Sequence, residues 1–259
     1  VAFVTSAYGS YSSCRQYLDD IEIARARVGP GAPRIDKIRH FFNHPGFIGP
    51  FTESTLAAIE SLPPGAQPGA PLVFTAHSVP ESMAAASGPG GDLYPAQLAE
   101  AARLVAGGVA TADGRERPWR LVYQSRSGPP SVPWLGPDVC DHLADLARDG
   151  APGAVLVPVG FVSDHVEVRY DLDVEAAQAG QRLGLPLARA ATPGTHPGFV
   201  SMITELVRER ADDAAPARGE RPAAQAALGV MAPGPDTCPD ACCRPQPPAH
   251  GAGQPGGSA

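Results

Sequence analysis

One segment of the sequence concentrates residues that could handle a metal ion or a proton. Residues 159–175, VGFVSDHVEVRYDLDVE, hold five carboxylates around a single histidine. Glu167, Asp171 and Glu175 lie four residues apart, a spacing that aligns them along one face of a helix. A π-turn would align them more closely, and such turns often occur at functional sites. Because oxygen ligands suit Mg²⁺ and transiently held Fe²⁺, the row predicts a path for a hydrated cation.

His77 is a second candidate, since it ends the apolar run FTAH and is followed by Ser78 and Pro80. Imidazole serves as a base or as a metal ligand near neutral pH. Both candidates have a structural alternative. His77 is equally compatible with a histidine satisfied at a strand end. Asp164 followed by Glu167 is close to a helix-capping box, with the other carboxylates on a solvated helix face.

The cysteines provide a third candidate site. Cys238, Cys242 and Cys243 form a C-x3-C-C group that is too tight for a zinc ribbon, and a cluster held by thiolates requires a fourth cysteine. Cys14, in the segment YSSCRQY that we predict to be a loop, is the easier fourth ligand to present. Cys140 lies in a predicted helix and is expected to be a packed thiol. An accidental group of cysteines in a flexible tail is the alternative.

These residues must be positioned by strands that alternate with helices. Continuous apolar runs predict strands at 71–77, 120–125 and 153–163, and a buried strand at 1–7 that enters a loop. Amphipathic patterns predict helices at 35–43, 52–62, 95–106, 137–149 and 196–210. This alternation is typical of an α/β protein with a parallel, doubly wound sheet. Ligands bind beyond the carboxyl ends of such strands, where His77 and the acidic row fall.

Composition narrows the classes of function. The chain has 259 residues, 43% of them hydrophobic, and a net charge of −7, so a nucleic-acid-binding surface is not expected. No apolar run approaches the roughly 18–20 residues of a membrane span, and no signal peptide is visible. An odd number of cysteines in a chain of this size favours a reducing compartment. From Ala214 onward Ala, Pro and Gly dominate, which predicts a mostly disordered tail.

Several motifs together resemble the ferrochelatase family, in particular the coproporphyrin III ferrochelatases of actinobacteria. FTAHSVP is similar to the segment that carries the family's catalytic histidine, and GFVSDHVEVRYDLDVE to the segment whose glutamate faces it. The segments YQSRSGPPSVPWLGPDV, TSAYGSYSSCRQY, KIRHFFNHPGF and ATPGTHPGFV also match. The resemblance covers about residues 1–210, and the chain would correspond to the latter two-thirds of the family, without upstream residues that contact the porphyrin.

The resemblance implies a fold of two Rossmann-like parallel-sheet domains, the first of them incomplete in this chain. Residues 1–31 would be a remnant of the N-terminal chelatase domain, and 32–188 the second chelatase domain. Residues 189–212 would form a helix that packs back on the first domain. Residues 213–259 would be the Pro/Gly/Ala-rich tail with the cysteine group.

The resemblance also implies a function: insertion of Fe²⁺ into coproporphyrin III in heme biosynthesis, by a cytoplasmic and monomeric lyase that forms nitrogen–metal bonds. His77 and Glu167 would be catalytic, and both would contact the metal together with Asp171 and Glu175. A [2Fe-2S] cluster would be held by Cys14, Cys238, Cys242 and Cys243. Protoporphyrin IX as substrate, insertion of cobalt or nickel, and a tetrapyrrole- or metal-binding protein without catalysis remain alternatives.

Overall fold

The computed structural model describes residues 1–213, 225–239 and 242–244. Its strands are β1 (Leu72–His77), β2 (Trp119–Gln124), β3 (Ala154–Val157) and β4 (Leu187–Arg189). They form one parallel sheet in the order β2-β1-β3-β4. The predicted α/β class is confirmed. The described residues contain one sheet, and the two-domain division and its boundaries stay predictions.

Helices connect the strands and cover both faces of the sheet. The α-helices are α1 (Gln16–Val28), α2 (Pro45–Ser61), α3 (Glu81–Ala85), α4 (Leu93–Asp113), α5 (Val139–Arg148), α6 (Val166–Val168), α7 (Ala177–Leu183) and α8 (Pro197–Asp213). Two π-helices, Tyr11–Arg15 and Arg169–Ala176, precede α1 and α7, and a 3₁₀-helix spans Gln67–Gly69. Within the described ranges, none of the helices is both long and apolar enough to cross a bilayer.

The central strand explains the continuous apolar pattern. Phe74 of β1 joins a core on one side of the sheet, which includes buried residues of α2, α4 and α8. Val73 joins a second core on the other side, with residues of α5 and of the second π-helix. Because side chains alternate between the two faces of a strand, a strand buried on both faces must be apolar throughout.

Two predictions near the N-terminus are wrong. Residues 35–43 are extended and end in a turn instead of forming a helix, and 1–7 form only an isolated parallel bridge between Ala2 and Lys37. The amide of Ala2 donates to the carbonyl of Asp36 at 2.7 Å, and the amide of Ile38 donates to the carbonyl of Ala2 at 3.0 Å. Each segment thus supplies backbone hydrogen-bond partners to the other. In a helix at 35–43 the same amide and carbonyl groups would bond within the helix and would no longer pair with Ala2.

The remaining elements differ mainly in their limits. Strand β3 ends at Val157 instead of extending to residue 163, because the chain turns at Pro158 to approach the end of β1. Helix α4 continues to Asp113, beyond the predicted end at residue 106. Strand β4 was not predicted, since three half-buried residues at a sheet edge carry little periodic signal.

Part of the C-terminal segment lies against the core, so the prediction of disorder is wrong for residues 225–239. The amide of Asn43, a buried residue, donates to the carbonyl of Met231 at 2.9 Å, and the carboxylate of Glu100 accepts from the amide of Val230 at 2.9 Å. Polar partners from the core thus hold this segment, and Met231 also packs against the hydrophobic core. Residues 242–244 are also described, with Cys242 and Cys243 buried, and the other tail residues lie outside the described ranges.

His44 links the stability of the fold to pH. Its side chain caps α2 by accepting a hydrogen bond from the amide of Gly46 at 3.0 Å, and it is only 3% exposed. Burial, with a smaller contribution from the charge of Arg39, lowers the pKa of His44 from 6.5 to about 4. The unfolded chain therefore takes up a proton that the folded protein resists. Folded stability is lost as the pH falls from 6.5 towards 4, by up to about 3 kcal/mol.

We expect His44→Asn to reduce this pH dependence, because asparagine caps helices well but does not titrate. The free energy of unfolding in urea, compared between the two ends of the pH window, measures the effect. His196→Asn is the matched control for exchanging the capping atom, since His196 accepts from the amide of Gly198 at 3.1 Å in the same way and is half-exposed. If the free energy of unfolding falls equally between these two pH values in His44→Asn and in the unmodified protein, His44 is not the source of the pH dependence.

Candidate active site

A cavity of about 450 Å³ opens at the carboxyl ends of β1 and β3, within the size range of small-molecule sites. It is lined by Thr5, Ser6, Tyr8, Ser10, Ser12, Ser13, Tyr17, His77, Ser78, Val79, Pro80, Met83, Tyr94, Trp134, Gly160, Phe161, His165 and Glu167. A larger and shallower groove of about 730 Å³ lies beside Glu53 and His196. Both predicted catalytic residues line the smaller cavity, which is therefore the candidate site.

The backbone fixes the tautomer and the direction of His77. Its Nδ1 lies 2.5 Å from the carbonyl oxygen of Ser78, which can only accept, so Nδ1 carries the proton. The phenol of Tyr94 donates to the carbonyl of His77 at 2.9 Å. Burial raises the pKa of Tyr94 well above its usual value, which keeps this donor protonated. The lone pair of the neutral ring is thus on Nε2.

Glu167 faces that lone pair. Its Oε2 lies 3.8 Å from Nε2 of His77, and the two side chains are 51% and 36% exposed. A carboxylate at this distance stabilises an imidazolium once Nε2 has accepted a proton. The predicted pair is therefore brought together, with both groups open to the cavity. It is suited to removing a proton from a bound molecule.

A glycine at the end of β3 brings Glu167 to His77. The amide of Gly160 donates to the carbonyl of Thr75 at 3.0 Å. A Cβ atom at position 160 would lie only 2.6 Å from Cα of Ala76, so any larger residue would push the loop away from β1. After this crossing, His165 caps α6 by accepting from the amide of Glu167 at 3.3 Å. The residue that caps α6 is therefore His165, and the alternative prediction of a capping box that starts at Asp164 is wrong.

A π-helix carries the rest of the acidic row, the kind of turn that would align its carboxylates more closely than an α-helix. It spans Arg169–Ala176, with Leu172 and Ala176 buried beneath it. Asp171 turns towards the end of β2, where the hydroxyl of Ser125 and the amide of Gln124 donate to its Oδ2, the latter at 3.2 Å. Since Gln124 is paired with His77 in the sheet register, this contact places Asp171 on the neighbouring strand end.

The structure separates the five carboxylates into two groups. Asp164 and Asp173 both bind Arg189, at 2.9 Å and 2.6 Å. Burial opposes ionisation of Asp164, but hydrogen bonds from Arg189 and Thr192 outweigh it and lower the pKa of this carboxyl. These two acids have structural partners. Glu167, Asp171 and Glu175 are the ones left to meet a cation.

These three carboxylates form a row and not a finished chelate. Among the residues that the structure describes, no group of three or more His, Cys, Asp or Glu side chains is arranged to hold a single metal ion. The row ends near Cys140, whose pKa burial raises to about 11, with smaller contributions from Asp138 and Glu175. Cys140 lies in α5 and packs against the core, which confirms the predicted packed thiol.

The other four cysteines lie together. Cys14 is buried in the first π-helix and not in a loop. A hydrogen bond to Cys238, followed by burial, raises the pKa of Cys14 to about 11. The same contact lowers the pKa of Cys238, which also contacts Cys242. The sulfurs of Cys242 and Cys243 are 3.6 Å apart, and the amide of Gly88 donates to Cys243 Sγ at 3.2 Å.

Sequence reasoning missed several residues of this region. Tyr94, which supports the His77 backbone, falls inside an ordinary amphipathic helix pattern. Arg189, which holds Asp164 and Asp173, lies in a strand that is too short to predict. No periodic signal marks such residues, because their role depends on contacts with distant parts of the chain.

Comparisons with known proteins assign the chain to a family. The family model described as Ferrochelatase matches residues 1–211. The coproporphyrin III ferrochelatase of Streptomyces griseus subsp. griseus is 48% identical and is aligned over 97% of this chain and 69% of its own length. Those of Frankia alni and Nocardia farcinica are 51% and 50% identical. This chain covers 63% and 68% of their respective lengths, so it spans about two-thirds of these relatives.

A solved structure supports the fold alone. SirB from Bacillus subtilis with Fe³⁺ has a TM-score of 0.50 and 10% sequence identity, over 83% of this chain and 72% of that one. At this low sequence identity, the similarity concerns the backbone fold only. The family match, by contrast, spans both segments that form the His77–Glu167 pair. With relatives near 50% identity on the same segments, the chain belongs to the ferrochelatase family.

Proposed function

We propose that this chain inserts Fe²⁺ into coproporphyrin III to give Fe-coproporphyrin III. The observation that carries the proposal is Nε2 of His77 facing Glu167 across 3.8 Å in the cavity beyond the sheet. The named relatives support coproporphyrin III as the substrate. Cytoplasmic location and a monomeric state stay predictions.

Metal insertion requires that the porphyrin lose two pyrrole protons and that the metal lose its water. A bent macrocycle exposes a nitrogen lone pair, and the strain is balanced by binding elsewhere on the ligand. His77 would accept a pyrrole proton at Nε2, because its Nδ1 is committed to the carbonyl of Ser78. Glu167 would stabilise the resulting imidazolium. In this mechanism Tyr94 keeps the strand end, and therefore the base, in position.

The acidic row would act on the metal side. Carboxylate oxygens can replace water around Fe²⁺ one ligand at a time, and Glu167, Asp171 and Glu175 are spaced along the π-helix that leads to His77. The hydrogen bonds from Gln124 and Ser125 occupy Oδ2 of Asp171. They would orient the carboxylate and leave its other oxygen for the cation.

We expect Asp171→Asn to raise the KM for Fe²⁺ by at least about tenfold, since even outer partners of metal ligands change affinity by about 10- to 100-fold. The KM for the porphyrin should not change. Asp173→Asn is the matched control on the same π-helix, because Asp173 is bound to Arg189 at 2.6 Å. Initial rates at varied Fe²⁺ distinguish the two. An equal rise in both variants would argue against a specific role for Asp171.

We also propose that Cys14, Cys238, Cys242 and Cys243 hold a [2Fe-2S] cluster. In a tetrahedral thiolate site with metal–sulfur bonds of about 2.3 Å, neighbouring sulfurs lie roughly 3.8 Å apart, and the 3.6 Å between Cys242 and Cys243 is compatible with this. The pairwise contacts along the group suit two irons with two thiolates each, and amide donors to sulfur, such as Gly88, are typical of such sites. When bound, the cluster supplies one-electron chemistry.

The proposed reaction is tested by following the loss of porphyrin fluorescence anaerobically with Fe²⁺, and in parallel with Co²⁺ and with Ni²⁺. The polypeptide is expressed from the complete coding sequence, and coproporphyrin III and protoporphyrin IX are compared in parallel. Faster consumption of coproporphyrin III is expected. Preference for protoporphyrin IX would change the substrate, preference for Co²⁺ or Ni²⁺ would change the metal, and binding without metallation would leave a carrier protein.

A further inference from the structure

A buried imidazole without a hydrogen-bond partner lies beside the cysteine group. His40 is 3% exposed, and neither of its ring nitrogens has a partner among the described residues. Burying a polar group unpaired costs about 1–3 kcal/mol, so such a ring calls for a specific explanation. The thiol of Cys14 is in contact with this ring. A hydrogen bond to Cys238 and burial raise the pKa of the thiol, and a weaker contact with His40, short of full hydrogen-bond geometry, lowers it.

The ring of His40 is held in place by close backbone packing. A Cβ atom on Gly9 would lie 2.9 Å from its Cε1, and one on Gly234 would lie 2.8 Å from its Cβ. Gly9 belongs to the segment that leads into the Cys14 π-helix, and Gly234 to the segment that leads to Cys238. Gly9 therefore packs against the ring and Gly234 against the Cβ and backbone of His40, so this residue is enclosed between the two chain segments that carry cysteines.

A buried cation lies on the same side of the group. Lys37 is 9% exposed, its ammonium donates to the carbonyl of Ile38 at 3.2 Å, and its charge acts on both Cys14 and Cys238. An iron–sulfur cluster with four thiolate ligands is negatively charged, and reduction adds one more negative charge. Hydrogen bonds to the sulfurs and nearby charges set its reduction potential.

We propose that His40 is a positioning residue of the cluster site, which donates a ring N–H to Cys14 Sγ and, together with Lys37, favours the reduced cluster. This proposal rests on the cluster assigned above. A neutral imidazole always carries one N–H, so the donation needs no change of protonation. The packing of Gly9 on the ring and of Gly234 on the backbone of His40 keeps this donor beside the cysteine segments. The orphaned ring nitrogen and the buried ammonium then have one common explanation.

The test measures the midpoint potential of the cluster in anaerobically purified protein by redox titration, with visible absorption and EPR spectra as readouts. In His40→Phe the ratio of reduced to oxidised cluster at a fixed potential should fall about tenfold, which is about 59 mV for a one-electron couple. His40→Gln retains an N–H donor and should restore most of the difference. Lys37→Met should lower the potential in the same direction.

Each outcome decides between the two proposals. If the unmodified protein contains no iron and acid-labile sulfide, both the cluster and the role of His40 are refuted. If the cluster is present and its potential is the same in His40→Phe, the role of His40 is refuted and the cluster stands. If His40→Phe does not fold, Lys37→Met provides the decisive measurement, and an unchanged potential there overturns the electrostatic argument.

Discussion

Replacing His77 with alanine is expected to lower the rate of Fe²⁺ insertion by about 10²- to 10⁴-fold, the range that removal of a general base produces. The affinity for porphyrin should change little, because the ring of His77 supplies only one of eighteen lining residues. The rate should fall because the substitution removes Nε2. This is the one atom of His77 that can take the proton, since Nδ1 is committed to the carbonyl of Ser78. Stopped-flow porphyrin fluorescence measures insertion, and equilibrium quenching measures binding.

His77→Asn is the matched variant for this experiment. Asparagine still offers an N–H donor to the carbonyl of Ser78 but cannot accept a proton as a base. If both variants are equally slow, the base itself is lost; if His77→Asn is active, the residue acts through its contact with the backbone. Rapid insertion in His77→Ala would rule out the proposed mechanism.

Glu209→Gln is expected to destabilise the fold by about 3–5 kcal/mol, the cost of leaving a buried charge without its partner. The side chain of Arg39 is fully buried, and its Nε lies 2.6 Å from Oε1 of Glu209 in α8. The same guanidinium donates to the carbonyl of Ala226 at 3.0 Å. The guanidinium of Arg39, in the extended segment, therefore contacts both α8 and the C-terminal segment. The free energy of unfolding in urea, at constant pH, measures the loss.

Glu205→Gln provides the control, one helical turn earlier in α8. The side chain of Glu205 is 56% exposed, and it lies 3.6 Å from His44. Because the pKa of His44 is about 4, that contact is not an ion pair near neutral pH, and the change should stay within about 0.5 kcal/mol. If Glu209→Gln and Glu205→Gln lower the free energy of unfolding by similar amounts, the destabilisation does not come from leaving the buried Arg39 without its partner.

Local sequence patterns predicted some of the local conformations correctly. The continuous apolar run before His77 predicted a strand buried on both faces, and β1 is such a strand. The four-residue spacing of Glu167, Asp171 and Glu175 predicted a row of carboxylates along one helix face, and a π-helix carries Asp171 and Glu175. These predictions succeed because side-chain periodicity follows directly from the geometry of each element.

The pattern at residues 35–43 shows where local reasoning ends. Its apolar and charged residues suit a helix, yet the segment is extended because its backbone pairs with Ala2. The same limit applied to the acidic row. Nothing in the spacing distinguishes Asp171, held at the end of β2, from Asp173, bound to Arg189.

By itself, the sequence determined the parallel α/β class, the strand-end histidine and the acidic row that follows β3. Only the tertiary structure decided which of these side chains meet. The register of β1 and β2 places His77 beside Gln124. The close approach of Gly160 to Ala76 positions the following loop so that Glu167 lies near the imidazole. The packing of the C-terminal segment on Asn43 and Glu100 brings the late cysteines to Cys14. Such contacts join residues far apart in the chain, and their energies depend on the packed fold rather than on any local pattern.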